Sequence, residues 1–187
     1  MSRHHDLAGL LRAHTPADDL EAEHRAAMLA LAEAGEAAFS RGHFDPGHFT
    51  ASAFVLDPTH TRVLLILHGK LHRWLQPGGH VDPEDADIVQ AALREVREET
   101  GLSEVRTLGG LLDLDVHVIP ERKADPAHKH FDVRVLLEAQ SLEAEAGSDA
   151  QAAKWVPLDE VSSIESDESV QRAVRKIKAR LGREGEA

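Results

Sequence analysis

Three glutamates near the middle of the chain have the spacing of a metal site. Glu95, Glu98 and Glu99 stand at positions i, i+3 and i+4, so in a helix their side chains emerge on one face. Their carboxylates would repel one another, and the dipole at a helix C-terminus disfavours anions further. Mg²⁺ relieves such repulsion, because it takes oxygen ligands and bridges carboxylates to a substrate phosphate. The spacing therefore predicts a site for a hard divalent cation.

A helix must position these acids. Four residues recur at helical spacing and predict an apolar seam: Val89, Leu93, Val96 and Thr100. At 100° per residue the acidic face lies roughly 130° from that seam. Gly101 follows where a left-handed residue ends a helix. By itself the segment also fits a solvated charged face on which Arg94 pairs with Glu98.

The wider segment from Gly79 to Leu102 resembles the Nudix box, which consists of a glycine, a loop and a helix reading Arg-Glu-apolar-x-Glu-Glu-x-Gly-apolar. The helical half matches at every defined position: Arg94, Glu95, Val96, Glu98, Glu99, Gly101 and Leu102. The family places a loop glutamate six residues after the glycine and eight before the arginine. Here Asp85 lies six after Gly79 but nine before Arg94. The loop is thus one residue longer, and Asp85 or Glu84 takes the place of that glutamate.

The resemblance implies a chemistry and a set of site residues. Nudix enzymes hydrolyse a nucleoside diphosphate linked to another group, with Mg²⁺ as the cofactor and Mn²⁺ as a substitute. The implied metal ligands are the Gly79 carbonyl, Glu95, Glu98 and Glu99, and the implied catalytic residues are Arg94, Glu95 and Glu98. In the family the arginine orients a box glutamate rather than taking part in the chemistry. The general base varies among members, so Glu95, Glu98, Glu121 and Glu143 all stay open.

The resemblance also implies an α/β fold, an α/β/α sandwich around a mixed β-sheet. Alternating or apolar runs predict strands at 48–56, 62–68, 105–110, 111–119, 131–137 and 151–156. A final helix is predicted over 167–181, with a packed stripe of Val170, Ala173, Val174 and Ile177. We expect residues 1–40 to form an N-terminal helical extension and residues 41–187 to form the Nudix domain, which includes the C-terminal helix.

The N-terminal extension contains a predicted amphipathic helix. Thr15 and Pro16 are typical of an N-cap and a first helical position. The predicted buried stripe comprises Leu20, Ala27, Met28 and Leu31. We expect this arm to pack on the core. A dimer contact or a wall of the substrate site is the alternative.

Two predicted strands carry polar residues at alternate positions. Asp115 and His117 share one face of the first strand, and His130, Asp132 and Arg134 share one face of the second. If the strands pair as a hairpin, their polar faces form one surface. We take His117, His130, Asp132 and Arg134 as candidate substrate-binding residues. A solvent-exposed sheet face is the competing interpretation.

Thirteen histidines are many for a chain of 187 residues. Several flank the box or follow it: His68, His72, His80, His117, His128 and His130. A zinc site would need a recognisable spacing of ligands. The sequence has neither the H-E-x-x-H spacing nor a cysteine. The pattern therefore favours scattered structural or surface histidines over a zinc site.

Composition narrows the function classes. The formal net charge of −12 argues against binding to nucleic acid or to an anionic membrane. It does not exclude a phosphate-bearing small molecule, because a bound cation reverses the local sign of charge. No apolar run is long enough for a membrane span, so we expect a cytoplasmic protein whose partner is a small-molecule diphosphate. The sequence leaves a homodimer open.

Two other functions compete with hydrolysis. A noncatalytic Nudix-fold sensor would bind a nucleotide and signal to a partner, but such modules tend to lose box acids, which are intact here. The Nudix-like isomerase of isopentenyl diphosphate relies on a reactive cysteine in its usual form, and this chain has no cysteine. The intact box acids and the absence of cysteine therefore favour the hydrolase.

Overall fold

The structure is a computed structural model that describes residues 2–122, 125–147 and 150–184, with side chains described as far as residue 182. Four α-helices are present in these ranges: α1 (Arg3–Ala13), α2 (Asp19–Ala32), α3 (Ile88–Thr100) and α4 (Glu168–Glu184). The strands are β1 (Gly47–Leu56), β2 (Arg62–His68), β3 (Trp74–Leu75), β4 (Gly78–His80), β5 (Val105–Ile119), β6 (His128–Ala139) and β7 (Ala150–Pro157).

The strands build a mixed sheet with β1 at its centre. The order along the sheet is β3-β2-β1-β6-β5, with β4 paired to β1 and β7 paired to β2. Strands β1 and β6 are parallel, and His48 lies opposite His130 in their register. The other pairings are antiparallel. Strands β5 and β6 do pair as a hairpin, with Asp115 opposite Asp132 and His117 opposite His130.

Helices cover both faces of the sheet. Phe49, Ala51 and Val55 of β1 point into a core that they share with α1, α2 and α3. Phe54 and Leu56 point the other way, into a second core that contains the predicted stripe of α4. Burial of each phenylalanine, valine or leucine among these side chains stabilises the fold by roughly 1.5–3 kcal/mol. The predicted α/β/α arrangement is therefore confirmed.

The N-terminal arm packs on the first core, but its helix begins later than predicted. The N-cap of α2 is Asp18, whose carboxylate accepts from the Glu21 backbone amide at 2.8 Å. The assignment of the cap to Thr15 was wrong, because Asp18 is the residue that satisfies a free amide of the first turn. The division of the chain at residue 40 stays a prediction.

The buried stripe of α2 also differs from the prediction. Met28 and Leu31 are buried as expected, whereas Leu20 is 50% exposed and Ala27 is exposed. Glu21 takes the buried position of the first turn instead. Helical spacing identifies a buried stripe by its apolar residues. It could not indicate that Glu21 is buried, because the polar partners of Glu21 lie on other segments of the chain.

The two strands predicted over 105–110 and 111–119 form one strand, β5. The register against β6 shifts between Thr107 and Leu111 and again before Asp113, and Gly109 has a φ of 81°. These shifts mark irregularities of the bulge type, which bend a strand without ending it. The glycine pair at 109–110 therefore suggested a strand end where the chain only kinks.

Helix α4 closes the second layer. Its predicted stripe of Val170, Ala173, Val174 and Ile177 is buried, as expected. The helix extends to Glu184, three residues beyond the predicted end. Neither α4 nor any other helix in the described ranges has the length and apolarity that crossing a bilayer requires.

Candidate active site

Helix α3 carries the three glutamates and is fixed at both ends. Asp87 caps it by accepting from the backbone amides of Val89 and Gln90, each at 2.9 Å. Gly101 ends it in the left-handed region at φ 71°. The face that packs on the sheet consists of Ile88, Ala91, Ala92 and Val96. This anchoring presents Glu95 and Glu99, in the last turns, toward the strand β4.

Strand β4 brings two glycines against those turns. A Cβ atom on Gly79 would lie 2.6 Å from Oε1 of Glu95, so only glycine allows the carboxylate this close to the backbone. The backbone amide of Gly78 donates to Oε2 of Glu99 at 2.9 Å. The pairing of Gly79 with Ala51 of β1 holds the glycines in place. The predicted ligands Gly79, Glu95 and Glu99 therefore lie side by side.

The guanidinium of Arg94 joins the loop to the acids. Its Nη2 donates to the His80 carbonyl at 2.8 Å, and its Nε and Nη2 donate to the carboxylate of Asp85. Its Nη1 donates to Oε1 of Glu95 at 3.0 Å and to Oε2 of Glu98 at 3.2 Å. Hydrogen bonding to Asp85 and the charge of Glu95 raise the pKa of Arg94. Arg94 thus orients both glutamates.

The three carboxylates have different surroundings. Side-chain exposure is 13% for Glu95 and 50% for Glu98, and Glu99 is buried. Burial raises the pKa of Glu95, although Arg94 opposes the shift. The Coulombic repulsion of Glu98 adds to the rise. A divalent cation at this position would offset both the burial and the repulsion.

The donor set fits a hard cation. Glu95 and Glu98 converge on one nitrogen of Arg94, and Glu95 touches the backbone of Gly79. Carboxylate and carbonyl oxygens are the donors that Mg²⁺ and Mn²⁺ prefer. Residues Glu95, Glu98, Glu99 and Gly79 could therefore hold such an ion.

The polar face of β5 and β6 brings the candidate substrate-binding residues together, but in two groups. Asp132 accepts from Thr50, Ser52 and Arg134, at 3.2, 2.8 and 2.8 Å. Asp132 and Arg134 are buried, 5% and 2% exposed. His117 retains 44% exposure of its side chain and bonds to Asp115. The exposed half of this face is thus its histidine end.

Asp132 and Arg134 belong to a buried ion-pair network that sequence reasoning missed. Arg134 contacts Asp113, Asp115 and Asp132. Arg172 of α4 contacts the first two of these acids, at 2.7 and 2.9 Å. The alternation of β5 showed the acids, but their cationic partners lie far along the chain on α4. Only the packing of α4 on the sheet reveals them.

Gln76 is a second residue that the sequence did not single out. Its Nε2 lies 3.4 Å from both Ser52 Oγ and Asp132 Oδ2. Its Oε1 is buried with no hydrogen-bond partner among the described residues. An unpaired buried acceptor costs free energy unless a ligand satisfies it. Its position directly before Pro77 and the glycine pair was the available signal.

The expectation of scattered histidines is wrong for one group. The rings of His48, His128 and His130 lie 4.8–5.3 Å apart. His80 lies 5.2 Å from His48 and 5.3 Å from His130. His117 lies 5.6 Å from His130. The parallel pairing of β1 with β6 brings His48, His128 and His130 together, and no sequence spacing indicates that pairing. Strand β4 adds His80 through its pairing with β1, and strand β5 adds His117 through its pairing with β6.

The chain matches one known family model over most of its length. The family model described as the NUDIX domain matches residues 46–179. The match includes the glycine pair, the helix α3 and most of α4. It begins after the N-terminal helices.

Curated relatives cover the middle of the chain. A probable DHNTP pyrophosphohydrolase from Lactococcus lactis is 35% identical over 108 residues, 56% of this chain and 63% of that protein. The asymmetrical bis(5'-nucleosyl)-tetraphosphatase from Rattus norvegicus is 28% identical over 121 residues, 60% of this chain and 75% of that protein. The match thus spans less than two thirds of the Lactococcus protein.

Solved structures share the fold. A NUDIX-family hydrolase from Clostridium perfringens aligns with a TM-score of 0.55 and 24% identity, covering 71% of this chain and 97% of that one. The NUDIX domain of Shewanella oneidensis NrtR in complex with ADP ribose gives 0.52 and 20%, covering 71% and 87%. A Caenorhabditis elegans Ap4A hydrolase gives 0.51 and 20%, covering 72% and 97%. At these identities the likeness is one of fold.

Proposed function

Because the chain belongs to the NUDIX family, we propose that it is a divalent-metal-dependent hydrolase of phosphoric anhydride bonds in a small, nucleotide-like substrate. One observation carries the proposal. The carboxylates of Glu95 and Glu98 converge on Arg94, and Glu95 lies against the Gly79 backbone. This oxygen-rich site supports Mg²⁺, with Mn²⁺ as a substitute, at the place where a diphosphate would bind.

Each box residue has a distinct role in this proposal. When bound, Mg²⁺ neutralises charge on the diphosphate and lowers the pKa of the attacking water. Glu95, Glu98, Glu99 and the Gly79 carbonyl hold the ion. Glu99 also fixes Gly78 through the backbone amide. Arg94 orients Glu95 and Glu98. Because its pKa is raised, the guanidinium stays protonated and does not act as the base.

The reaction is a displacement at phosphorus. The water oxygen forms a bond to phosphorus, the bridging P–O bond breaks, and a carboxylate accepts the water proton. Glu95 is one candidate for that base, because its carboxylate lies within the box beside the proposed metal site. Glu98 is the alternative within the box, and Glu121 and Glu143, both exposed, are the alternatives on loops.

The substrate is proposed to lie along the polar face next to the box. His117 and Gln76 supply the polar groups that reach it, while Asp132 and Arg134 hold the strands beneath in register. The relative named as a bis(5'-nucleosyl)-tetraphosphatase favours nucleoside polyphosphates over other diphosphates. Three further expectations stay predictions. They are a homodimer, a cytoplasmic location, and direct contact of the substrate with His130, Asp132 or Arg134.

A substrate panel tests the proposal. The protein is incubated with Mg²⁺ and, separately, a dinucleoside tetraphosphate, a pterin triphosphate, nucleoside triphosphates, ADP-ribose and nucleotide sugars, and product release is followed by chromatography. We expect Mg²⁺-dependent turnover of at least one nucleoside polyphosphate, abolished by a chelator and restored by Mn²⁺. Folded protein that turns over none of them, yet binds one in calorimetry, would support the noncatalytic sensor instead.

A pair of variants connects the activity to the box. Glu98→Gln removes a half-exposed ligand with little loss of packing, and we expect kcat to fall by at least about 100-fold. The matched control is Glu104→Gln, an exposed glutamate just beyond the helix, which should keep full activity. Equal activity in the two variants would remove Glu98 from the mechanism.

A further inference from the structure

Three histidines at one end of the sheet form a second arrangement of metal-ligating atoms. His48 is the second residue of β1, and His128 and His130 are the first and third residues of β6. One nitrogen from each ring lies within 4.8 Å of the others. His48 and His130 are register partners on parallel strands, and His128 shares the face of His130 two residues earlier. We propose that these residues, the histidine triad, bind Zn²⁺ or a similar first-row transition-metal ion.

Backbone carbonyls orient two of the three rings for this role. The Nδ1 atom of His48 lies 3.2 Å from the His43 carbonyl, and the Nδ1 atom of His128 lies 2.7 Å from the Pro126 carbonyl. A carbonyl only accepts, so each Nδ1 carries the proton and each Nε2 carries a lone pair. Metal-bound histidines are typically held in this way by a hydrogen bond from the other ring nitrogen.

The lone pair of His48 has no partner in the protein. His48 is 1% exposed, and its Nε2 has no hydrogen bond among the described residues. A buried polar atom without a partner costs free energy. A cation between the three rings would satisfy this atom and would offset that cost. This orphaned acceptor distinguishes the histidine triad from an ordinary stack of surface imidazoles.

The protonation state of the rings also fits a cation. Burial lowers the pKa of His48 and, aided by the surrounding histidines His48, His80, His117 and His128, lowers that of His130 to about 2. These shifts favour the neutral forms of His48 and His130, and ligation requires a neutral ring. Asp132 and Asp115, the nearest acids of the polar face, are held by Arg134 and Arg172. The triad supplies neutral nitrogen and no charge of its own.

His80 adjoins the triad but is not counted as a ligand. Its Nδ1 lies 3.0 Å from Nη2 of Arg41, and because arginine only donates, the proton of His80 sits on Nε2. Ligation by His80 would require the other tautomer and the departure of Arg41. Three histidines and an open fourth position remain, a pattern that zinc uses at sites with a bound water or ligand.

Ligand type separates this site from the box acids. Imidazole nitrogen suits Zn²⁺, Ni²⁺ and Cu²⁺, whereas carboxylate and carbonyl oxygens suit Mg²⁺. Excess Mg²⁺ therefore fills the oxygen site and leaves the nitrogen site for Zn²⁺. The triad lies on β1 and β6 and the acids lie on α3, so zinc binding can be measured without substrate and apart from the proposed hydrolysis.

Calorimetric titration of the full chain with Zn²⁺ in millimolar Mg²⁺ tests the inference. We expect one Zn²⁺ per chain. His130→Ala should weaken binding at least about 10-fold, and His128→Asn, which keeps a polar side chain at the strand end, should do the same. The control is His72→Asn, at an exposed position with φ 52° that asparagine tolerates. This variant should bind Zn²⁺ as the unmodified protein does.

X-ray absorption of the zinc-loaded protein supplies a readout that does not depend on activity or on the folding of a variant. We expect nitrogen ligands at about 2.0–2.1 Å with imidazole scattering. Zn²⁺ should also raise the Tm of the unmodified protein and not that of His130→Ala. Absence of Zn²⁺ binding, unchanged affinity in both triad variants, or a shell of oxygen ligands alone would overturn the inference.

Discussion

The carboxylate of Asp85 holds the guanidinium of Arg94 in two places, with Nε–Oδ1 and Nη2–Oδ2 distances of 3.1 and 3.0 Å. Asp85 also accepts from the Asp82 backbone amide at 2.8 Å and is 9% exposed, whereas Glu84 is exposed. Asp85 is therefore the loop acid that the sequence left undecided between two neighbours. The loop is one residue longer than the family pattern, and Asp85 reaches Arg94 across it.

Replacement of Asp85 by asparagine should weaken metal binding without removing any proposed ligand. Arg94 would keep its contacts to Glu95 and Glu98 but lose its charged anchor, so it would compete more strongly with the cation for those acids. We expect the Mg²⁺ concentration for half-maximal activity to rise several-fold and stability to fall by about 1–3 kcal/mol. Glu84→Gln is the matched control and should change neither quantity. Equal Mg²⁺ dependence in both variants would contradict the positioning role of Asp85.

Alanine at Gly79 should damage activity more than stability. The added Cβ would lie 2.6 Å from the Glu95 carboxylate, and the end of a flexible side chain can move away. Displacement of a reacting or ligating group by about 1 Å can cost about 100-fold in rate, so we expect a loss of kcat between 10- and 100-fold with a nearly unchanged Tm. Gly110→Ala, where a Cβ meets open space, should be silent in both. Full activity of Gly79→Ala would show that Glu95 need not sit against this backbone.

The Glu21 carboxylate should make the fold sensitive to acid. Burial would raise its pKa, but hydrogen bonds from His14, Lys176 and the Ala17 amide outweigh burial and lower it to about 2. A carboxyl with a lowered pKa stabilises the fold above its unfolded pKa, near 4.5, and loses that contribution as pH falls toward 2. Relative to the unmodified protein, Glu21→Gln should cost about 3 kcal/mol at neutral pH and almost nothing near pH 2.

Denaturant titrations across that pH range measure this effect. Glu23→Gln, at an exposed position on the same helix, is the control and should follow the unmodified protein at every pH. A stability deficit of Glu21→Gln that persists undiminished at pH 2 would refute the ionic role of Glu21.

The N-terminal arm should contribute to the stability of the whole domain. Met28 is fully buried in the core that α3 shares, so Met28→Ala should cost about 2–5 kcal/mol in thermal or denaturant unfolding. Leu20→Ala on the same helix removes a side chain that is 50% exposed and should cost less than about 0.5 kcal/mol. Similar losses from both variants would favour the stripe that helical spacing predicted over the one that the structure shows.

Local spacing was sufficient for the features that depend on one element. The pattern from Arg94 to Leu102 placed the acids on one face, ended the helix at Gly101 and indicated the family. The alternation along β5 and β6 predicted a polar face on each strand. Each of these follows from a period of 3.6 or 2 residues, which a chain displays without reference to anything distant.

The tertiary structure decided everything that depends on a partner far along the chain. In the structure Asp85 contacts Arg94, whereas Glu84 is exposed. Basic residues of α4 form ion pairs on the polar face, and Glu21 is buried where an apolar residue was expected. The parallel pairing of β1 with β6 places His48 beside His130. Periodicity shows which side of an element a residue occupies but not which other element will cover that side. The acids of the box could therefore be predicted from the sequence, and the histidine triad could not.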